Sequence, residues 1–327
     1  MRFGLLGGML WGLDTVILGI GLAMAPYVGT AEALAFASIA GSFLHDAFCA
    51  IWLFGYMGVR GRLKDTVAAL KTRHGKFIML GALLGGPVGM TGYVIAIGNI
   101  GAGYTAIISA FYPAVGALLA VFVLKERMRA RQFAALFAAI AGVMVMGYVT
   151  SGSSEAVNAP LGLAGALLCV LGWGSEAVIV AYGMRDDAVD NETAIQIRET
   201  TSALVYGICV LPLFGAWGFT AQAAPSLATG VIALAGLAGA TSYVFYYKGI
   251  QRIGAARGMA LNITYSAWAV VFGLILLGTV PNAVSIVCCV VIMAGTVLAA
   301  CDWDELLGKR GDAGKKEEDG GAKGTVG

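Results

Sequence analysis

The chain has 327 residues, 59% of them hydrophobic and 12% charged, with 21 Lys and Arg against 19 Asp and Glu for a net charge of +2. Such a composition excludes an ordinary soluble globular domain, in which about a quarter of residues are charged. It also excludes a nucleic-acid surface, because the basic residues interrupt apolar stretches instead of gathering on one soluble face.

A spanning helix needs roughly 20 mostly apolar residues. Ten such stretches are predicted, at residues 3–24, 33–56, 77–98, 103–124, 132–149, 161–183, 196–217, 226–247, 258–278 and 283–301. The first, with Arg2 before it and Ala23-Met24-Ala25 behind it, also imitates a signal peptide. Its length, and Asp14 in its middle, favour a membrane span. Lys and Arg are predicted to lie only on alternate connections: Arg2; the six from Arg60 to Lys76; the four from Lys125 to Arg131; Arg185 and Arg198; Lys248, Arg252 and Arg257; and the tail. Cytoplasmic loops are enriched in these residues. The expectation is therefore a multi-pass protein of the inner (cytoplasmic) membrane with both termini in the cytoplasm. The six cysteines lie in or at the ends of apolar spans, without metal-ligand spacing, and no disulfide is expected. Residues 302–327 are Gly-rich and charged, the composition of a disordered tail.

The second half of the chain repeats the first. Trp11-Gly12-x-Asp14 aligns with Trp173-Gly174-x-Glu176, residues 97–102 (IGNIGA) with 250–255 (IQRIGA), Tyr112 with Tyr265, and Gly142 with Gly295. Five spans per copy is an odd number, so the copies are expected to cross the membrane in opposite senses. The charges agree: Asn99 and Tyr104 match Arg252 and Arg257, while Lys125 and Arg127 match Gly278 and Val280. The predicted fold is all-α, ten transmembrane helices as two inverted five-helix repeats, at 1–150 and 151–301.

Two five-helix halves, each with an Ile-Gly-Ala junction before its fourth helix, together with Tyr112-Pro113, Lys125-Glu126 and Gly142, resemble the drug/metabolite transporter superfamily with paired EamA-type domains. The second half departs from this pattern, with Ser266 in place of Pro113 and Thr279 in place of Glu126. The resemblance implies a secondary carrier whose helices 1, 3, 4, 6, 8 and 9 line a central path.

Asp14, His45, Asp46 and Glu176 fall inside apolar spans. An acid at a helix centre costs about 2.5 to 3.5 kcal/mol on insertion scales, so such residues normally face water or a partner. Asp14 and Glu176, being repeat-related, are expected to face one cavity, and all four residues are candidates for proton coupling. The alternative is structural, each acid bonding a neighbouring helix and fixing its packing. His45 and Asp46 point about 100° apart on a helix, so one of the two is expected to face the cavity.

Trp11, Tyr93, Tyr112, Trp173, Tyr243, Asn262, Tyr265 and Trp268 are the expected substrate wall, with Asp14 and Glu176; Asn262, Tyr265 and Trp268 recur every three residues and should share a helix face. Aromatic faces with polar tips suit an organic solute, and beside carboxylates they favour an amine-bearing one. Tyr56, Tyr148, Trp217, Tyr246, Tyr247 and Trp303 are read instead as interfacial belt residues. In helix 3, Gly86-Pro87 within Gly85-Gly86-Pro87-Val88-Gly89 predicts a break or hinge, as does Pro113 in helix 4; Gly81, Gly85 and Gly89 alternatively mark a close helix contact.

Metalloprotease, nucleophile-elbow and phosphate-loop motifs are missing from the sequence, so neither an enzyme nor a cofactor or metal is expected. The expected function is secondary transport of a small organic metabolite, amino-acid-like or amine, by alternating access, with proton coupling as a further expectation. The alternatives are an uncoupled facilitator of a neutral metabolite and a non-transporting receptor or scaffold. The expected partners are a small-molecule substrate and the lipid bilayer.

Overall fold

Helices account for nearly all of the computed structural model, which describes residues 1–150 and 157–301. The expectations for the tail and for Trp303 lie outside these residues. The first half contains α1 (Arg2–Leu22), α2 (Ala31–Val59), the short α3 (Leu63–Leu70), α4 (Arg73–Leu83), a π-helical segment (Leu84–Met90) that runs on into α5 (Thr91–Ser109), α6 (Tyr112–Leu119) with a π-helical continuation to Leu124, and α7 (Ala130–Thr150). The second contains α8 (Ala159–Gly183), α9 (Asn191–Val205) with a π segment (Tyr206–Val210) and α10 (Leu211–Phe214), then α11 (Trp217–Ala223), α12 (Leu227–Ile253), α13 (Ala255–Asn262), α14 (Tyr265–Leu277) and α15 (Ala283–Ala300). Among the described residues, 9 helices are long and apolar enough to cross a membrane, and Tyr112–Leu124 is a shorter apolar one. The molecule is a multi-pass membrane protein.

Polar side chains start the helices. Thr30, Thr72, Asn158, Asp190, Ser226 and Asn282 are N-cap residues, each accepting a hydrogen bond from a backbone N–H of the first turn, which satisfies donors that the helix cannot. Two expected boundaries move. The turn anticipated near residue 100 leaves no gap in helical backbone, and the interruption falls at Ala110-Phe111, just before Pro113, whose nitrogen cannot donate. The span expected from 258 is interrupted at Ile263-Thr264, directly before Tyr265.

Glycine sets the packing. α1 lies against α12 on one side and α13 and α14 on another. A Cβ at Gly7 would lie 3.2 Å from the Tyr246 backbone nitrogen, and one at Gly12 would lie 2.9 Å from the Tyr265 carbonyl oxygen. α8 lies against α4 and α5 on one side and α6 on another. Here a Cβ at Gly165 would lie 2.7 Å from the Gly92 oxygen, and one at Gly174 would lie 2.9 Å from the Tyr112 oxygen. α7 and α15 pack together, Gly142 facing Ile292 and Gly295 facing Ala139. Small residues let backbones approach where no hydrophobic drive separates helix from lipid. α2 and α9 complete the ring, packed on one another and on α12.

Candidate functional site

The helices enclose a cavity of about 230 Å³. Its lining repeats one register: Trp11, Asp14, Thr15 and Leu18 on α1; Ser42, His45 and Asp46 on α2; Trp173, Glu176 and Ala177 on α8; Tyr243, Tyr246 and Tyr247 on α12. Residues three and four apart share a helix face, so four apolar helices each turn one mostly polar or aromatic stripe inward. Gly85, Gly86, Met90 and Tyr93 from the third span, Tyr112 from α6, Arg198 from α9, Asn262 from α13 and Tyr265 from α14 close the wall.

Charged groups form a chain through it. Asp14 Oδ1 lies 2.9 Å from His45 Nε2, and Asp46 Oδ1 lies 3.5 Å from His45 Nδ1. Ser202 Oγ donates to Asp46 Oδ2 at 2.5 Å, and a guanidinium nitrogen of Arg198 is 3.7 Å from the same oxygen. Arg198 then donates to Glu176 Oε1 at 2.8 Å and to Glu199 Oε1 at 2.9 Å. Four helices, α1, α2, α8 and α9, are thus joined by ionisable side chains in the interior. His45 meets a carboxylate at each ring nitrogen, an arrangement in which the imidazolium form donates twice while either neutral tautomer donates once.

Two aromatic groups flank this chain. Trp11 stacks on Tyr265 with centroids 5.3 Å apart and meets Tyr243 at 5.3 Å. Trp173 meets Tyr93 at 5.3 Å and Tyr112, edge-on, at 5.7 Å. Asn262 donates to the Tyr112 hydroxyl at 3.3 Å, and its own side-chain oxygen has no partner.

The glycines of helix 3 have a physical reason. Cβ atoms at Gly81, Gly85 and Gly89 would meet Val180, Glu176 and Trp173 of α8, and one at Gly86 would meet Ser202. Within the π-helical segment around Pro87, the Gly85 carbonyl accepts the Trp173 Nε1–H at 3.0 Å. Both anticipated roles, close approach and a local break, coincide there. Pro113 sits in the first turn of α6, beside the Ala110-Phe111 break.

Several expectations are corrected. Trp268 is not in the cavity wall, although Asn262 and Tyr265 are; it meets Phe272 at 6.2 Å, each three-residue step falling about 60° short of a full helical turn. His45 and Asp46 both line the cavity, each at one edge of the inward stripe of α2. Tyr246 and Tyr247 are buried in the wall and not at an interface, since the glycine face of α1 runs over α12. Arg198 is no loop charge. It is 4% exposed inside α9, beside the fully buried Glu199. The polar run from Thr193 to Ser202 obscures where this helix begins, at Asn191 and not at the expected 196, although Gln196, Arg198, Glu199 and Ser202 in one apolar neighbourhood signal an inward polar face.

A second ionic cluster lies at the end of the molecule that carries the Arg60 to Lys76 loop. Arg62 pairs with Asp65 at 2.9 Å, Asp190 at 2.7 Å and Glu192 at 2.5 Å, and Arg60 with Glu192 at 2.9 Å. Burial pushes the Asp190 carboxyl up, but hydrogen bonds from Thr193 and Arg62 outweigh it and hold Asp190 below the usual carboxylate range. Nearby, Glu126 accepts from the backbone N–H groups of Ala255 at 2.7 Å and Ala256 at 3.0 Å, an anion at the N-terminus of α13.

The family model of EamA-like transporters matches residues 2–148 and again 160–301. Protein LicB of Haemophilus influenzae is 27% identical over 301 residues, covering 90% of this chain and 95% of that protein. A solved crystal structure matches with a TM-score of 0.66 at 18% identity, over 94% of this chain and 97% of the other, a likeness of fold alone. With both halves matched and the helices arranged around one interior cavity, the chain belongs to the EamA-like transporter family.

Proposed function

We propose that the protein is a secondary carrier for a small amine-bearing organic solute, moved by alternating access between two inverted five-helix repeats, 1–150 and 151–301. One observation carries this reading: a closed-in cavity whose carboxylates, Asp14, Asp46 and Glu176, stand among the faces of Trp11, Tyr243, Tyr265 and Trp173. Aromatic faces and carboxylates together attract an organic cation. The volume of about 230 Å³ lies below the 300 to 1,000 Å³ of drug-sized pockets, so the solute is small.

Support for the repeats comes from reciprocal contacts. Gly12 approaches the Tyr265 carbonyl as Gly174 approaches that of Tyr112, and Gly142 faces α15 as Gly295 faces α7. The lysine and arginine distribution supports a placement of both termini and the Arg62 cluster on the cytoplasmic side of the inner membrane. In this reading, the Arg62 cluster and the Glu126 cap of α13 are cytoplasmic closures, bridging the two repeats. Proton coupling is part of the proposal, carried by His45 between Asp14 and Asp46.

Thermal stabilisation of purified protein, screened across amines, amino acids, sugars and nucleosides, identifies the solute class. Stabilisation by amines is the expected result; stabilisation by neutral sugars alone would replace this reading with a facilitator of neutral metabolites. For the stabilising amine, counterflow in proteoliposomes should be seen, which a simple pore or receptor does not give. A pH gradient should change its uptake in wild type and not in Asp14→Asn combined with Glu176→Gln; uptake indifferent to pH in both removes the coupling.

A further inference from the structure

The cavity already holds a cation. The Arg198 guanidinium is 4% exposed, bonded to Glu176 at 2.8 Å, and its carbon lies 4.8 Å above the Tyr243 ring, which meets Trp11 in the same wall. A carboxylate and an aromatic face, the two elements that recognise an organic ammonium, are both engaged by a side chain of the protein itself. Behind it stands Glu199, fully buried and absent from the cavity lining, holding Arg198 through Oε1 while its Oε2 has no hydrogen-bond partner. Glu199 thus has unused capacity for a guanidinium with five N–H donors, and it lies on the side away from the solute.

Building on the amine reading above, we infer that Arg198 is the empty carrier's own counter-cation, neutralising Glu176 when the cavity is vacant and withdrawing onto the free oxygen of Glu199 when a solute ammonium takes its place. A buried carboxylate without a partner is strongly disfavoured, so an empty carrier lacking this cation could not close around Glu176. Arg198 and the solute therefore compete for one carboxylate. The competition weakens solute binding and permits the unloaded carrier to return, so net flux becomes possible besides exchange.

Tetramethylammonium is the probe, because it has no hydrogen-bond donor and reads carboxylate and aromatic attraction alone. Its Kd by calorimetry, its net uptake and its counterflow are measured for wild type, R198Q, R198K and E199Q, each checked for a monodisperse elution profile. R198Q should bind the probe about ten-fold more tightly, while net uptake falls about ten-fold and counterflow falls much less. E199Q, which removes the refuge and leaves Arg198 on Glu176, should weaken binding by a similar factor, and R198K should lie near wild type. A merely structural role would weaken binding in both R198Q and E199Q and lower net uptake and counterflow together; that result overturns the inference. If R198Q does not fold, E199Q decides, and unchanged affinity there overturns it. No binding of the probe to wild type removes the amine reading and this inference with it.

Discussion

Gly12→Ala tests the packing of the first helix against the site. The new Cβ would lie 2.6 Å from Trp268 Cβ, 2.9 Å from the Ala269 nitrogen and 2.9 Å from the Tyr265 oxygen, where ordinary contact starts at 3.4 Å. Relief therefore needs separations of about 0.8 Å (3.4 − 2.6) and about 0.5 Å (3.4 − 2.9). None of the three atoms is the end of a flexible side chain, so α1 must shift as a body against α14. Overpacking of this kind costs about 1 to 3 kcal/mol, against a helix-propensity gain of about 0.5 to 1 kcal/mol for replacing glycine. A net loss of about 0 to 2.5 kcal/mol follows, and the difference from a glycine replaced in open space is the full overpacking cost of about 1 to 3 kcal/mol. Gly19→Ala on the same helix meets nothing within 4 Å and should be neutral or slightly stabilising. The assay is thermal unfolding in detergent, followed by loss of the monodisperse elution peak. Gly12→Ala should melt several degrees below Gly19→Ala, and Gly174→Ala, whose Cβ meets the Tyr112 oxygen at 2.9 Å, should behave alike. Indistinguishable melting of Gly12→Ala and Gly19→Ala would refute the packing argument.

Trp173→Phe replaces the indole with a smaller phenyl ring and removes the hydrogen bond to the Gly85 carbonyl; a loss of about 1 kcal/mol from the hydrogen bond, plus a packing cost for the lost atoms, is expected, with faster amide exchange confined to residues near 84–90, read by hydrogen-exchange mass spectrometry. Arg62→Ala unties Asp65, Asp190 and Glu192 at once. Because Arg62 is partly exposed, the stability change should stay near 1 kcal/mol and shrink with salt, while labelling of a cysteine placed at Ala188 should accelerate. Asp190 has a folded-state pKa below its unfolded value, so its contribution is full above the ordinary carboxylate pKa of about 3.9 and is lost as pH falls through the lower folded value. Wild type should therefore lose more stability than Asp190→Asn when acidified through that range, measured by melting at graded pH.

How much of this was legible in sequence varies with the residue. Apolar length gave the nine long spans among the described residues, because the bilayer imposes it. The Trp-Gly-x-acid pairing brought Trp11, Asp14, Trp173 and Glu176 to one cavity, since an acid and a glycine at such a depth both need a partner. The span holding α9 was found, but its start was set at 196 and Arg198 was read as a loop charge: hydropathy scores composition, not direction, and the polar residues of α9 point inward. The three-residue spacing of Asn262, Tyr265 and Trp268 overstated a shared face: Asn262 and Tyr265 line the cavity, and the second step turns Trp268 out of it. Tyr246 and Tyr247 were assigned by the preference of tyrosine for membrane interfaces, a cue that carries no information on which neighbour covers a face.

The glycine-lined faces of α1 and α8 also bear on movement. Knobs seated in holes must change rotamer before two helices can slip past one another, whereas backbone lying on backbone presents an almost smooth plane. Gly7 of α1 meets the Tyr246 backbone, and Gly165 and Gly174 of α8 meet the backbones of Gly92 and Tyr112, so the contact is of that smooth kind at these points. Where side chains do interlock, Leu261 over Gly4 and Ile100 over Gly162, any sliding of α1 or α8 would have to unseat them first.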